Sequence, residues 1–459
     1  MASPSDTIVA IATAAGPGAV GIVRVSGPAT RRVMQAVCGQ NLTPRYATLS
    51  SFRSCDGDVV DQGLAFFFEA PHSYTGEDVL ELQGHGGIAA PQLVQAACLT
   101  QSLADCPVRL ARPGEFTQRA FLNGKIDLAQ AEAVSDLIAA ESAQSARAAL
   151  ASLRGAFSDS VHRLQARLTD VRLRAEACLD FPEEGLELSV SVQLGRRLRE
   201  CEEALAEVVH TAQRGAALTS GLRVVLCGPP NVGKSSLLNV LSGEEAAIVT
   251  ALPGTTRDRV SRVIHLDGVP IELIDTAGLR ETQDPVEQMG IERSWQALKG
   301  ADLALFLRDA SGSIQSDPAQ EAGVAQHMGF ESGVRDVGRV WVIWNKADLA
   351  RPEGGRPDEL LVSAKTGAGL DELRTRLKAR AGWSEGEAGG VLSARTRHLE
   401  SLRRAQENLS GCAALAQEGS LELFAEQLRL AQLNLSEVTG EFLADDLLGE
   451  IFSRFCIGK

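Results

Sequence analysis

Aromatic residues are scarce in this 459-residue chain, at 4%, and basic side chains are outnumbered by acidic ones, 45 to 59. The resulting net charge of −14 excludes a chain coated in nucleic-acid-binding surface, so any RNA contact must come from a local basic patch or a partner. The nine cysteines include no C-x-x-C pair, which suits a reducing compartment and gives no support to a metal cluster. No run approaches about 20 apolar residues, so no membrane span is expected. The opening residues, MASPSDTIVA, lack the basic start of a signal peptide, and a cytoplasmic location is expected. Apolar residues still make up 44%, and the length suits about three domains of ordinary size.

What is present is a phosphate-cradling loop. Gly228-Pro-Pro-Asn-Val-Gly-Lys-Ser235 fits G-x-x-x-x-G-K-[ST], after an apolar strand-like run (Val224 to Cys227) and before a helix-like run from Ser236. Backbone N–H groups of such a turn face phosphate oxygens, and the helix N-terminus adds positive dipole. Lys234 reaches toward the β/γ-phosphates and Ser235 toward Mg²⁺. Asn231, Val232, Gly233 and Ser236 complete the expected nucleotide contacts.

Further elements follow in order. Ile271 to Ile274 ends in Asp275-Thr276-Ala277-Gly278, placing a carboxylate and a glycine at a strand's carboxyl end, where they reach the Mg²⁺ shell and the γ-phosphate. Val340 to Trp344 runs into Asn345-Lys346-Ala-Asp348, whose carboxylate accepts both N1–H and N2–H of guanine. Leu360-Leu-Val362 leads into Ser363-Ala364-Lys365, a second base-contacting loop. Each short motif alone also fits a surface turn; together and in order, at the carboxyl ends of strands, they mark a GTP-binding α/β domain.

Leu279 stands where Ras-like enzymes carry the water-orienting glutamine. Hydrolysis therefore needs another group, and Glu281, Asp284 and Glu287 lie just beyond, where they also fit a solvated loop. Thr250, Thr255 and Thr256 are three candidates to close the Mg²⁺ shell. No arginine finger is evident; the Asn231 oxygen is a candidate ligand for a monovalent cation in that role.

Both flanks are helical by period. Leu150, Leu153, Phe157, Val161, Leu164, Leu168 and Val171 form one apolar stripe, expected on a single long helix, and Phe424, Leu428, Ala431, Leu435 and Val438 form another. Neither stripe buries itself alone, so the two are expected to pack together with the nucleotide domain inserted between them. Arg163, Arg167 and Arg174 share a helix face, read here as solvated because Asp170 interrupts it. The first 122 residues read as α+β, with strands at Val20 to Val25 and Asp78 to Leu82, each followed by a glycine-rich loop. His85, between glycines, has no partner that the sequence reveals and is assigned no catalysis. Cys456-Ile-Gly-Lys459 is a poor prenylation box, since Gly458 and the terminal lysine break its pattern.

As a set these residues resemble the bacterial and organellar tRNA-modification GTPase family called MnmE or TrmE. The resemblance spans essentially the whole chain. It rests on Asp6-Thr-Ile-Val-Ala10, Gly21-Ile-Val-Arg-Val-Ser-Gly27, Tyr74 to Gly87, Arg112-Pro-Gly-Glu-Phe-Thr117, Phe121 to Glu132, Gly254-Thr-Thr-Arg-Asp258 and Phe455-Cys-Ile-Gly-Lys459. It implies a multidomain fold: an N-terminal α+β domain for folate binding and dimerisation (1–122), a helical domain in two parts (123–217 and 383–459) and an inserted Ras-like P-loop GTPase domain (218–382). It implies a cytoplasmic homodimer that works with an FAD- and NADH-dependent partner in a heterotetramer or larger complex, and a tRNA substrate. The product is an aminomethyl or carboxymethylaminomethyl group on C5 of the wobble uridine at position 34, its carbon drawn from 5-formyl- or 5,10-methylene-tetrahydrofolate.

Carried over by position, folate contacts fall on Arg24, Glu81, Lys125 and Lys459, and Cys456 matches a cysteine implicated in modification. The resemblance also implies potassium held by Asn231, Thr250, Leu252 and Thr255, magnesium held by Ser235 and Thr256, and a water-positioning role for Glu287. Ala19 departs from the usual glycine of the first loop, and Ala310 to Gly338 is expected to be a variable surface loop. The alternative reading is a ribosome-assembly GTPase switch; such proteins usually append a basic RNA-binding module, which this acidic chain lacks.

Overall fold

The computed structural model describes residues 6–180, 187–243, 261–275, 300–314, 339–351, 359–383, 392–441, 445–453, 455–456 and 458. The chain divides into two compact units. One comprises Met1–Ser135, Leu153–Cys201 and Arg404–Lys459; the other comprises Asp136–Ser152 and Glu202–Arg403.

The first unit opens with β1 (Thr7–Ile11), β2 (Val20–Ser26), α1 (Thr30–Cys38), β3 (Thr48–Arg53), β4 (Val59–Phe68), β5 (Val79–His85), α2 (Ala89–Leu99), β6 (Val108–Leu110) and α3 (Glu115–Leu122). The strands form one sheet in the order β3-β4-β5-β2-β1-β6, antiparallel except for β1 with β6. Alternation decides the faces. Val23, Val25, Leu80 and Leu82 share a core with Val33 and Val37 of α1 and Val94 of α2. Arg24 and Glu81, paired in register, therefore take the other face. The β1 residues Ile8 and Ala10 pack with Phe116 of α3, which brings that ring up to the Arg24 side. The expected strands are both present, but β5 runs on through Gln83 and Gly84 to His85. Part of the expected glycine-rich loop is thus paired strand, because Val20 and Gly21 continue the ladder opposite it.

Helices follow as α4 (Leu128–Ala139), α5 (Ala143–Leu153), α6 (Ala156–Asp180) and α7 (Glu187–Ser220). The long helix expected from Leu150 to Val171 is two helices. Gly155, with φ at 93°, takes a left-handed conformation that a continuous helix does not allow, and Leu150 is exposed. From Phe157 onward the stripe is buried, as are all five apolar positions of the second stripe, which fall on the helix Leu421–Thr439. The two flanks do pack together: Arg172 donates to Gln432 at 2.7 Å, Gln432 to Thr169 at 2.6 Å and Gln165 to Ser436 at 2.9 Å. Arg174 pairs with Asp170 at 3.1 Å on an exposed face. Near the chain's end, Leu448, Ile451, Phe452 and Phe455 pack with Leu128 and Ala131.

In the second unit β7 (Leu222–Cys227), α8 (Lys234–Gly243), β8 (Ser261–Leu266), β9 (Val269–Asp275), β10 (Leu303–Asp309), β11 (Val340–Asn345) and β12 (Leu360–Leu361) build a sheet in the order β12-β11-β10-β7-β9-β8. All pairings are parallel except β8 with β9. Val224 to Cys227 and Leu303 to Leu307 are buried throughout, as central parallel strands covered on both faces must be. The β8–β9 hairpin turns on Asp267 and Gly268, both with positive φ (50° and 83°), the requirement of a two-residue type I′ turn.

Candidate functional site

In the second unit the carboxyl ends of β7, β9, β10 and β11 converge. Leu226 sits level with Asp275, Phe306 with Cys227 and Asp309 with Asn345. The motif residues follow immediately after these positions, at the edge where open parallel sheets bind ligands.

Close backbone packing shapes the phosphate loop. A Cβ on Gly228 would stand 2.5 Å from the Leu307 carbonyl oxygen, and one on Gly233 2.3 Å from Asn345 Nδ2. Both glycines have positive φ, as does Asn231 at 63°, a region that asparagine tolerates better than most residues. Val232 is fully buried and fixes the loop to the core. Lys234 opens α8 and folds its ammonium over the loop, donating to the carbonyls of Gly228 at 2.8 Å and Pro229 at 3.1 Å. Burial lowers its pKa, partly offset by the charge of Asp275. A bound polyphosphate would reverse that cost of burial. Ser235 Oγ donates to Asp275 Oδ2 at 2.7 Å, so two hard oxygen donors from different elements meet beside the helix N-terminus, a donor set that suits Mg²⁺. Ser236 is exposed on the same helix turn.

The base-side motifs are cross-tied. Asn345 is buried; it donates to the Val232 carbonyl at 2.9 Å and accepts from the Ala364 N–H at 3.1 Å, joining the phosphate loop to the loop after β12. Ser363 Oγ donates to Asp348 Oδ1 at 2.6 Å. That bond is the main cause holding the exposed Asp348 carboxyl below its ordinary pKa, so it stays a hydrogen-bond acceptor. Lys365 adds a favourable charge beside it. Lys346, with φ at 64°, sends its ammonium to Asp309 Oδ2 at 3.0 Å.

Sequence reasoning missed Asp309. Its side chain is fully buried at the end of β10 and also accepts from the Ser311 N–H and hydroxyl, at 2.9 and 2.6 Å. Burial raises its pKa, but the bonds from Ser311 and Lys346 prevail and keep it low. The available signal was a carboxylate closing an apolar strand, the same pattern that marked Asp275. Thr250, Leu252, Thr255, Thr256, Thr276, Ala277, Gly278 and Glu287 lie outside the described residues, as do Leu279, Glu281 and Asp284.

In the first unit, Arg24 and Glu81 form an ion pair at 2.8 Å, each side chain 17% exposed. Arg24 also donates to the Gly458 carbonyl at 3.1 Å. Its guanidinium lies 5.7 Å from the ring centroids of both Tyr74 and Phe116, within reach of a cation–π contact. Tyr74 in turn bonds Thr117 at 2.9 Å. Cys456 is exposed and its carbonyl accepts from the Gly114 N–H at 3.3 Å. Lys125 does not join this pair; it is exposed and donates to the Pro71 carbonyl at 3.0 Å. Lys459 lies outside the described residues. The rings around Arg24 were not singled out in the sequence, though Tyr74 and Phe116 both fall within the segments that carry the family resemblance.

Two family models match the chain: one described as the MnmE helical domain, over residues 128–456, and one described as the GTP-binding protein TrmE N-terminus, over residues 7–125. The chain is 51% identical over 468 residues to the tRNA modification GTPase MnmE of Acidovorax sp. (strain JS42), covering 99% of each chain. It is 49% identical over 484 residues to that of Polaromonas sp. (strain JS666 / ATCC BAA-500), covering all of both. Against that of Ralstonia nicotianae (strain ATCC BAA-1114 / GMI1000) the identity is 50% over 464 residues, covering 98% of this chain and 96% of the relative.

Proposed function

Because the chain belongs to the MnmE family of tRNA modification GTPases, we propose that it is a potassium-activated GTP hydrolase coupled to alkylation of C5 of the wobble uridine of tRNA. In this reading it acts as a cytoplasmic homodimer with an FAD-dependent partner protein and draws its one-carbon unit from a reduced folate.

On the nucleotide side, the loop amides, the α8 N-terminus and Lys234 bind and orient the phosphates, and Asp348 selects guanine. Bound magnesium would supply positive charge to the phosphate oxygens; Ser235 would hold it with Thr256, and Asp275 would join its shell through water. Potassium would add a second charge where other GTPases place an arginine, held by Asn231 with Thr250, Leu252 and Thr255. Glu287 would position the attacking water.

On the N-terminal side, the observation that carries the folate reading is the meeting of Arg24, Glu81 and the chain's own C-terminal segment at Gly458. A guanidinium backed by two aromatic rings and paired with a carboxylate offers complementary groups to a molecule that has both. Arg24, with Lys459, suits the carboxylates of a folate tail, and Glu81 suits the donor edge of a pterin. Lys125, bonded instead to the Pro71 carbonyl, would have to leave that bond to join them. The folate would supply the carbon; Cys456, exposed beside this site, is assigned to the modification step.

Mass spectrometry of tRNA nucleosides tests the whole reading. A strain lacking this chain is expected to lose its 5-aminomethyl-type wobble uridines, with restoration by the wild type but not by Arg24→Ala or Lys234→Ala. An unchanged profile, in a strain with no second copy, would instead favour a ribosome-assembly switch.

A further inference from the structure

Gln83-Gly-His-Gly-Gly87 is the glycine-rich motif that neither the nucleotide site nor the Arg24 cluster uses. The structure supplies what the sequence withheld, a partner for His85. Its Nδ1 lies 2.7 Å from Asp61 Oδ1, and its backbone N–H donates to Asp61 Oδ2 at 2.9 Å. Asp61 takes a third bond, from the Gln62 N–H at 2.8 Å. Burial works to raise the Asp61 pKa, but the bonds from His85 and Gln62 prevail and hold it below its ordinary value. An ionised carboxylate only accepts, so Nδ1 carries a hydrogen, and in the neutral imidazole the lone pair then lies on Nε2.

The arrangement differs from a surface ion pair, in which two flexible, solvated side chains meet at little gain. Here the Asp61 side chain is 8% exposed while that of His85 is 78% exposed. The backbone is cleared around both. A Cβ on Gly84 would stand 2.1 Å from Asp61 Oδ2, one on Gly86 2.6 Å from the Gly18 and Val20 carbonyls, and one on Gly21 2.7 Å from Pro91. Gly87 borders open space, and the apolar side chains nearby, Val20 and Ile88, are 54% and 69% exposed. The result is a fixed, open imidazole beside apolar surface, with room for a planar ring to approach. His85 lies on the same strand as Glu81, four residues on and so about 13 Å along it.

We propose that His85 is the proton acceptor for C5 of the target uridine, with Asp61 as the residue that positions it. This rests on the uridine-modification reading above. As C5 bonds to an electrophilic methylene carbon, the C5=C6 π pair becomes the new bond, the displaced C=N pair stays with the carrier nitrogen, and C6 is left electron-poor. Nε2 then takes the C5 proton, the C–H electron pair restores C5=C6, and the imidazolium formed is neutralised by the Asp61 carboxylate.

The test is tritium release from tRNA labelled at C5 of the wobble uridine, using the full chain with its flavin partner, reduced folate and GTP. His85→Gln is expected to slow release by about 100-fold or more, with GTP hydrolysis and folate binding at wild-type levels. Asp61→Asn should give a smaller loss, and added imidazole should restore part of the rate to His85→Gly. A second readout needs neither folate nor turnover: nitrogen and carbon resonances of the His85 ring should report the Nδ1–H tautomer in the wild type and its loss in Asp61→Asn. Wild-type release by His85→Gln, or an Nε2–H tautomer in the unmodified protein, overturns the proposal alone. No release by the wild type itself would sink the uridine reading, and this proposal with it.

Discussion

The nucleotide site and the Arg24 site are built from different materials. At the nucleotide site backbone geometry does most of the positioning. Three loop residues have positive φ, two glycines leave no room for a Cβ, and the side chains that matter follow strand ends in contiguous motifs. At the N-terminal site the positioning is done by charges drawn from far along the chain: Arg24 meets Glu81, 57 positions on, and Gly458, 434 positions on. The same unit holds a second charged cluster, in which Arg109 and Arg119 are shared among Asp6, Glu77 and Glu115. A backbone-built site is sensitive to added bulk. A charge-built site is sensitive to the loss of one partner and, through its carboxylates, to acid.

The sharpest way to break the comparison is therefore to add one methyl group. Gly233→Ala is expected to reduce GTP turnover by about 100-fold or more, because the new Cβ must displace Asn345 while the backbone holds φ at 99°. Asn345 in turn holds both Val232 and Ala364, so the damage reaches the phosphate and base sides together. Phosphate release measures the loss, and the melting of the N-terminal domain should not move. Near wild-type turnover would show that the loop has room the contacts deny.

A smaller effect is expected where the nucleotide site does rely on a charge. Asp309→Asn should raise KM for GTP about tenfold with kcat little changed, since Asp309 positions Lys346 without touching the reacting atoms. Lys346→Met should do the same, and the double variant should lose little more than either single one, because paired residues are non-additive. Independent, additive losses would mean that the 3.0 Å ion pair does not transmit the effect.

The same difference explains what could be read in advance. Lys234, Asp275, Asn345 and Ser363 were legible because a phosphate loop and its companion loops are short strings with fixed spacing, and their fold follows from strand–loop–helix order. Asp309 carries no such string; its partner is adjacent to it only after β10 and β11 align. Asp61 and His85 are 24 positions apart and meet only when β4 pairs with β5, so the histidine looked unpartnered. Helical period identified the residues that face the core from Phe157 to Val171, yet it ran unbroken through Gly155, since counting apolar residues does not register a positive φ. Arg24 and Glu81 were reached by family resemblance, and no local pattern would have paired them with Gly458.

The smallest effect on turnover, and the cleanest probe of the charge-built region, is expected from Glu115→Gln. Glu115 is buried, at 3% side-chain exposure. Burial alone would raise its pKa, but hydrogen bonds from Arg109 and the Arg112 N–H, with the charges of Arg109 and Arg119, bring it down to about 2 from an ordinary 4.5. A carboxyl depressed in the folded state stabilises fully above its unfolded pKa, and that contribution is lost as pH falls through the folded value. The window is thus about 4.5 down to about 2, and the stake at neutral pH is on the order of 3 kcal/mol at 1.36 kcal/mol per pKa unit. Asp6 and Glu77 still face the two arginines in the variant, so the loss should not exceed that figure. In melts of the full chain, the N-terminal transition of Glu115→Gln should lie several degrees below the wild type at pH 7, and the gap should close as the pH approaches 2, with GTP hydrolysis at 25 °C unchanged. A gap that persists undiminished in acid would show that Glu115 acts through packing, and the distinction between the two regions would then rest on shape alone.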